Sequence, residues 1–277
     1  MRTALWNEIT RFVKESAENR FPESGKRYFK EPLIGFASAD DPIFREYKRI
    51  IGDFHLLPKE FFDNASTVVS WALPVTAETI TSNRKEKRWP SSEWSFTRSF
   101  GENFNSMLRK HVVEWLETLG HKAVAPQLTE EWRQFDDLHA GITSTWSERH
   151  AAYAAGLGTF SLNDALITQA GIAHRLGSVI TDLCLEATER NYSDYRENCL
   201  WYSKNSCGAC ISRCPAGAIS PAGHDKAKCR DYVYGIVPEA VGKLYGVPQT
   251  GCGLCQTGVP CEAGIPAGRK AESTLSL

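Results

Sequence analysis

Apolar residues recur along the chain with two periods, and each period predicts one kind of element. Helical spacing over residues 4–17 and, most clearly, over 92–119 predicts two helices, the second closed by Gly120. The charged stretch 42–64 has apolar positions at similar spacing and predicts a helix interrupted around Gly52 and Pro58. The β-branched, apolar run over 66–75 predicts a buried strand that ends at Pro74.

The remaining pattern predicts a layered domain followed by a separate module. Residues 146–155 have helical spacing, whereas 121–126, 160–168 and 178–183 have the character of strands. Residues 22–42, rich in Gly, Pro and charge, predict a long loop. Alternating helices and strands predict an α/β or α+β domain. Because the chain turns polar after residue 186, we expect a domain over 1–195, a second module over 196–265 and a flexible tail over 266–277.

Composition limits the classes of function. The 277 residues are 42% hydrophobic with a net charge of −1, which argues against a large electrostatic surface for nucleic acid. The longest apolar runs are too short to span a bilayer, and the N-terminus has no signal-peptide pattern. We therefore expect a cytoplasmic protein whose thiols are reduced.

Cysteines provide the strongest chemical signal. Eight of the nine lie in the last third of the chain, as two clumps with Cys229 between them. The first clump contains C-x₂-C-x₃-C-P, and this spacing is typical of ligands to [4Fe–4S] clusters. Two such clusters require eight thiolates, so an electron-transfer or redox function follows. Three alternatives stay open: two zinc sites, disulfides, or simple burial of one or two thiols, above all Cys199.

The ligand assignment follows the crossed pattern of two-cluster proteins. Lys204 stands where the standard run has its first cysteine, so the nearest substitute is Cys199. Cys184 lies in an apolar segment and is expected to be a buried core thiol. We assign one cluster to Cys199, Cys207, Cys210 and Cys261, and the other to Cys214, Cys229, Cys252 and Cys255.

Two parts of the chain resemble the epoxyqueuosine reductase family. Residues 151–167, with Ala155-Gly156-Leu157-Gly158 and then Asn163, and residues 177–182 resemble its core signature. The cysteines over 207–219 and 252–255, with Cys229 between, fit its two-cluster module in the same order. The resemblance covers roughly the C-terminal half. It implies a nitroreductase-like α/β domain that binds cobalamin, followed by a bacterial two-cluster ferredoxin-like module. Reductive dehalogenases are similar in this arrangement.

The resemblance also implies reductive chemistry, in which electrons pass through two [4Fe–4S] clusters to a corrinoid cobalt and a nearby acid donates a proton. An external low-potential donor of the ferredoxin or flavodoxin type would supply the electrons. We expect a cobalamin-dependent reductase of an unknown small-molecule or corrinoid substrate. The alternatives are an electron carrier without cobalamin and a reductase that reactivates the corrinoid of a partner protein.

Three departures from the family pattern bear on the substrate. Leu162 stands at the family's lysine position, and residues 140–147, before Glu148, contain no carboxylate of the kind that serves the family as proton donor. The family continues into a helical-repeat domain that helps hold tRNA, whereas the sequence ends shortly after the second clump. With a near-zero net charge as well, these features disfavour tRNA as a partner.

Candidate site residues lie on the predicted helix over 146–155 and the segment after it. His150 or Tyr153 could donate a proton beside Glu148, although a solvated helix face is the alternative. His174-Arg175 could bind a phosphate or pair with an acid, and His139 beside two aspartates could bind a metal, although both could be ordinary loop residues. Candidate cobalamin contacts, with ordinary turn chemistry as their alternative, are Arg149, Gly156, Gly158, Thr159, Ser161 and Asn163.

Overall fold

A computed structural model describes residues 1–137 and 141–267 of the chain. His139 and all but the first two residues of the expected tail lie outside this part. Within it, no helix is long and apolar enough to cross a membrane.

Helices and short strands alternate through most of the chain. The helices are α1 (Arg2–Glu15), α2 (Ile43–Ile51), α3 (Pro58–Phe61), α4 (Ala77–Lys85), α5 (Ser92–Thr118), α6 (Glu148–Ala154), α7 (Leu200–Lys204), α8 (Ala209–Arg213), α9 (Lys226–Arg230) and α10 (Lys243–Tyr245). The strands are β1 (Leu33–Ser38), β2 (Thr67–Pro74), β3 (Ala123–Val124), β4 (Gln134–Asp137), β5 (Gly141–Ser144), β6 (Gly158–Phe160), β7 (Leu166–Thr168), β8 (His174–Thr181), β9 (Ile219–Ser220) and β10 (Gly223–His224). The fold is therefore of the expected mixed helix and sheet class.

The central sheet has four antiparallel strands in the order β1-β2-β8-β3. Side chains of a strand point alternately to its two faces, so Val69 and Trp71 join the core with α1 and α5, whereas Val68 joins the core with α2 and α6. Because both faces are covered, β2 is buried along its whole length, which explains its unbroken apolar run.

Some of the elements that the apolar pattern predicts are present in the structure, and others are not. The helix predicted over 92–119 is confirmed as α5, which begins after Ser91, whose hydroxyl accepts a hydrogen bond from Trp94 N at 3.2 Å. The long loop predicted over 22–42 is wrong, because it contains β1, paired with β2. The single strand predicted over 160–168 is also wrong. It is a hairpin of β6 and β7, with Asp164 in the turn at φ 61°.

The cysteine-rich part packs directly on the sheet domain. Residues from both sides of the predicted boundary at 195, including Ile167, Ile172, Cys199 and Ile219, share one apolar cluster. After α9 the helix continues through π-helical turns over Asp231–Ile236 and Pro238–Gly242 to α10. The division into two domains stays a prediction, and the cysteines are held against helices of the preceding part.

Candidate metal centres and active site

The structure brings eight cysteines together as two groups of four. The first thiol group surrounds a small cavity of about 20 Å³ and consists of Cys199, Cys207, Cys210 and Cys261. The second thiol group lines a much larger cavity of about 1020 Å³ and consists of Cys214, Cys229, Cys252 and Cys255. These are the two sets assigned from the spacing. Their binding of clusters stays a prediction.

Electrostatic interactions within each group show the proximity of its thiols. Burial, followed by the charges of Cys199 and Cys207, raises the pKa of Cys210 to about 11. Burial also raises the pKa of Cys252 to about 12, and Cys229 and Cys214 add to the effect. Thiolates this close repel each other unless positive charge lies between them.

Each thiol group lines a cavity. Among the described residues, no three or more His, Cys, Asp or Glu side chains form a group that could hold a single metal ion. A tetrahedral zinc site would place its sulfurs only about 4 Å apart, given Zn–S bonds of about 2.3 Å. The donor set, four thiols around a central space, fits a larger polynuclear centre.

A turn at a glycine brings the loop of the second thiol group into contact with helix α5. Gly253, between Cys252 and Cys255, has a φ of 63°, and a Cβ there would lie 2.0 Å from the Trp94 indole. Only glycine permits both this backbone conformation and this approach. The Ala218 N–H also donates to Cys214 Sγ at 3.3 Å. The ligand loop therefore depends on contacts outside the cysteine-rich part.

The large cavity lies between the second thiol group and the sheet domain. One face of α5 forms a wall with Trp94, Arg98, Glu102 and Arg109, and other walls come from the β4–β5 hairpin, the start of α6 and β8. A volume of about 1020 Å³ is at the upper end of the range for small-molecule sites, about 300–1,000 Å³. The cavity can hold a large organic cofactor or a substrate of similar size.

A buried network of arginines and carboxylates lies along the cavity wall. Glu102 accepts from Arg175 Nε at 2.7 Å and from Arg109 Nη1 at 3.0 Å. Arg109 also donates to Glu148 Oε1 at 3.3 Å and to the carbonyl oxygen of Leu176 at 2.9 Å. Burial opposes ionisation of Glu102, but Arg175 and Arg109 outweigh it and lower the pKa of that carboxyl to about 2.

Glu148 differs from Glu102 in the direction in which its pKa is shifted. Burial raises the pKa of its carboxyl above the ordinary value, and Arg109 offsets this only partly. Among the residues that the structure describes, its second oxygen, Oε2, is buried without a hydrogen-bond partner, and so is Gln127 Oε1. Both side chains line the cavity, and that of Glu148 is 14% exposed.

The structure separates the predicted catalytic residues. Glu148 lines the large cavity, but His150 and Tyr153 do not. The His150 ring contacts Tyr47 and Phe160, and its Nδ1 is 2.8 Å from Ser147 Oγ. Because α6 turns consecutive side chains to different sides, the helix that directs Glu148 to the cavity directs His150 into the core. This placement does not support a proton-donor role for His150 or Tyr153.

Three of the six predicted cofactor contacts line a cavity, and three do not. Arg149 and Asn163 line the large cavity, and Ser161 lines the cavity of the first thiol group. The other three serve the fold. The Thr159 hydroxyl accepts from Asn198 N at 2.9 Å, and Gly158 allows the close approach of the Ile167 carbonyl. Gly156 turns the chain after α6 at φ 75°.

Other candidate residues differ from their expected placement. Cys184 is exposed, contrary to the predicted core position, because β8 ends at Thr181 and the chain then leaves the sheet. Arg175 is part of strand β8 and pairs with Glu102, so the loop alternative is wrong.

The apolar spacing of residues 92–119 did not predict that charged residues of α5 would line a cavity. The cavity-lining Arg98, Glu102 and Arg109 belong to a helix whose apolar spacing predicted only packing. Their spacing by four and seven residues places them on one face, and this spacing was the available signal.

Comparisons with known proteins find similarity to epoxyqueuosine reductases and to a reductive dehalogenase. No protein-family model matches the chain. An epoxyqueuosine reductase of Bacillus anthracis is 26% identical over 252 residues, covering 84% of this chain and 61% of the relative. The chain therefore spans less than two thirds of that relative's length.

Two solved structures share the fold. An epoxyqueuosine reductase with a tRNA-Tyr epoxyqueuosine-modified stem loop has a TM-score of 0.51 and 19% identity, covering 96% of this chain and 67% of the other. A reductive dehalogenase, described with a mechanism for B12-dependent dehalogenation, has a TM-score of 0.52 and 16% identity, covering 85% of this chain and 30% of the other. The predicted resemblance to epoxyqueuosine reductases is confirmed.

Proposed function

We propose that this protein is a corrinoid-dependent iron–sulfur reductase. One observation carries the proposal: the second thiol group and the acid Glu148 line the same large cavity. A cluster ligated there would face a cofactor in the cavity directly. B12-dependent chemistry in a structure of the same fold supports the proposal.

The two thiol groups provide sites for two [4Fe–4S] clusters that would relay electrons between the surface and the cavity. Cys207 of the first group is exposed, so an external low-potential donor of the ferredoxin or flavodoxin type can approach there. Cys210 and Cys214 lie one helical turn apart around α8 and bring the two groups together. The first group would therefore be the outer site and the second the inner one.

The cavity fits a corrinoid in both size and polar atoms. A corrinoid carries many amide side chains, and Gln127 on the cavity wall has an amide group that could pair with one of them. Arg149 and Asn163 provide N–H donors on the same cavity. When bound, the corrinoid would supply a low-valent cobalt able to reduce a substrate.

Glu148 is the proposed proton donor in place of His150 or Tyr153. Burial raises the pKa of this carboxyl, and the Glu148 side chain, which is 14% exposed, lines the cavity. Arg109 holds one oxygen and orients the carboxyl group. A carboxylic acid kept neutral by burial is a recurrent general acid in enzymes.

The substrate and partners belong to the same proposal. We propose a small molecule or a corrinoid as substrate. That tRNA is disfavoured stays an untested expectation, since a protein of the same fold has been solved with a modified tRNA stem loop.

Anaerobic purification followed by iron and sulfide analysis and a cobalamin titration tests the proposal. We expect about eight irons per chain, four for each cluster, and a visible spectrum that shifts with about one equivalent of cobalamin. Cys207→Ser and Cys252→Ser should each remove about half the iron. Iron without cobalamin binding would favour an electron carrier or a corrinoid-reactivating reductase, and zinc in place of iron would refute the proposal.

A further inference from the structure

The large cavity contains more arginines than carboxylates. Five arginines line it against three acidic residues, Glu102, Asp136 and Glu148. Arg109 and Arg175 share Glu102, and Arg230 pairs with Asp136 at 2.8 Å. Within residues 1–137 and 141–267, the other two, Arg98 and Arg149, have no carboxylate at ion-pair distance.

The aliphatic part of the Arg98 side chain is packed against the protein, and its guanidinium lines the cavity. Arg98 lies one turn before Glu102 on α5, and a Cβ at Gly251 would be 2.9 Å from its Cγ, so its stem packs on the loop that carries Cys252. Its guanidinium donates to Tyr234 Oη over 3.5 Å, a long contact. A guanidinium has five N–H donors, and Arg98 lines the cavity with this one side-chain contact and no carboxylate partner within the described residues.

Arg175 places a second guanidinium beside the first. Its partner Glu102, which Arg109 also shares, is one turn along α5 from Arg98, and all of these residues line the same cavity. The charge of Arg175, more than burial, lowers the pKa of Arg98. Glu102 has a single negative charge that it already shares between Arg175 and Arg109, so a further anion beside Arg98 and Arg175 would be favoured.

We propose that Arg98 and Arg175 form an oxyanion subsite that binds a carboxylate or phosphate group of the substrate, so the substrate class is an anionic small molecule. The inference rests on the proposed function and deepens it. Paired guanidiniums match the two oxygens of such groups and hold them by charge-assisted hydrogen bonds. Because Arg98 packs on the loop of Cys252, the bound anion would lie at the end of the cavity where electrons arrive.

The first test measures binding of inorganic phosphate to the iron-loaded protein by calorimetry. Arg98→Met keeps an apolar stem against Gly251 but removes the guanidinium, and should weaken phosphate binding at least about tenfold. Arg230→Met is the matched control, since it removes the same charge from the same cavity, and should change the affinity less than about threefold. Unchanged melting temperatures show that both variants are folded. Equal weakening in both, or no phosphate binding to the parent protein at millimolar concentrations, would overturn the subsite.

A second arm separates the substrate from the other source of an oxyanion, the phosphodiester in the nucleotide tail of cobalamin. Cobinamide lacks this tail. If the subsite serves the substrate, Arg98→Met binds cobalamin and cobinamide as the parent does, and cobalamin-loaded protein still binds phosphate. Weaker cobalamin binding with unchanged cobinamide binding would overturn the assignment to substrate. Failure of both corrinoids to bind the parent protein would refute the proposed function, while the phosphate titration judges the subsite independently.

Discussion

Arg109 is the buried cation on which the carboxylates of the cavity depend. It is 0% exposed and binds Glu102, Glu148 and the carbonyl oxygen of Leu176. Replacing it with methionine preserves much of the volume. The change leaves Glu102 with Arg175 alone and leaves Glu148 without a cation.

The size of the effect follows from the pKa of Glu102. That pKa is lowered from 4.5 to about 2, so the folded state gains stability that is present above pH 4.5 and lost as the pH falls towards 2. At about 1.4 kcal/mol per pKa unit, this is roughly 3 kcal/mol shared between two arginines. Removing one partner of a buried ion pair costs about 3–5 kcal/mol. We therefore predict a loss of about 3 kcal/mol near neutral pH for Arg109→Met.

The assay is thermal unfolding of the anaerobic protein at a fixed scan rate. A loss of 3 kcal/mol should lower the Tm by about 6–12 °C, at about 2–4 °C per kcal/mol. Arg175→Met is the control. Arg175 is 31% exposed and its loss leaves Glu102 paired with Arg109, so it should cost less.

The sign of the pH dependence provides a further check. Without Arg109, burial raises the pKa of both carboxyls in the folded variant, so its stability falls as the pH rises through those values. The deficit relative to the parent protein should therefore be larger at about pH 8 than at about pH 5.5. A Tm within about 2 °C of the parent, or a larger loss for Arg175→Met, would refute the reasoning.

Three further substitutions test the thiol groups. Gly253→Ala should remove about half of the iron by metal analysis, because its Cβ would lie 2.0 Å from Trp94, and full iron content would contradict this account. Cys184→Ser should retain all the iron, since Cys184 is outside both groups, and iron loss would reassign a ligand. Asn163→Ala removes a 3.0 Å bond to the Cys255 carbonyl and should lower the Tm by about 2–4 °C with iron retained, whereas an unchanged Tm would show that the bond contributes little.

Helices and strands could be predicted where the apolar pattern of a single segment is enough to show which of its residues are buried. Helix α5 and strand β2 have long apolar patterns, and both were found as expected. Strand β1 could not be recognised because Leu33–Ser38 follows a Pro- and Gly-rich stretch and gains its strand conformation from pairing with β2. The hairpin of β6 and β7 depends on a turn at Asp164, which apolar pattern does not report.

The candidate site, like the fold, could be predicted where the signal lies within one segment of the chain, but not where it depends on packing between segments. Cysteine spacing in the sequence was enough to sort the thiols into the two sets that the structure brings together. Glu148 was expected near the cofactor, but its separation from His150 depends on how α6 is rotated against the sheet. Glu102 and Arg109 look like solvated positions of an amphipathic helix, and only the cysteine-rich part packed over α5 makes them cavity walls.

Helix α5 links the protein core to the proposed chemistry. Phe104, Leu108 and Val112 anchor one face in the core, so the opposite face cannot shift without disturbing that packing. From Trp94, which contacts the thiol loop, to Arg109, which holds Glu148, the helix rises about 22 Å. One rigid element thus fixes a ligand loop and the acid relative to each other across the cavity. Buried charges on a helix cost stability, and here they lie on the face where the proposed reductase would need a positioned acid and cations on the cavity wall.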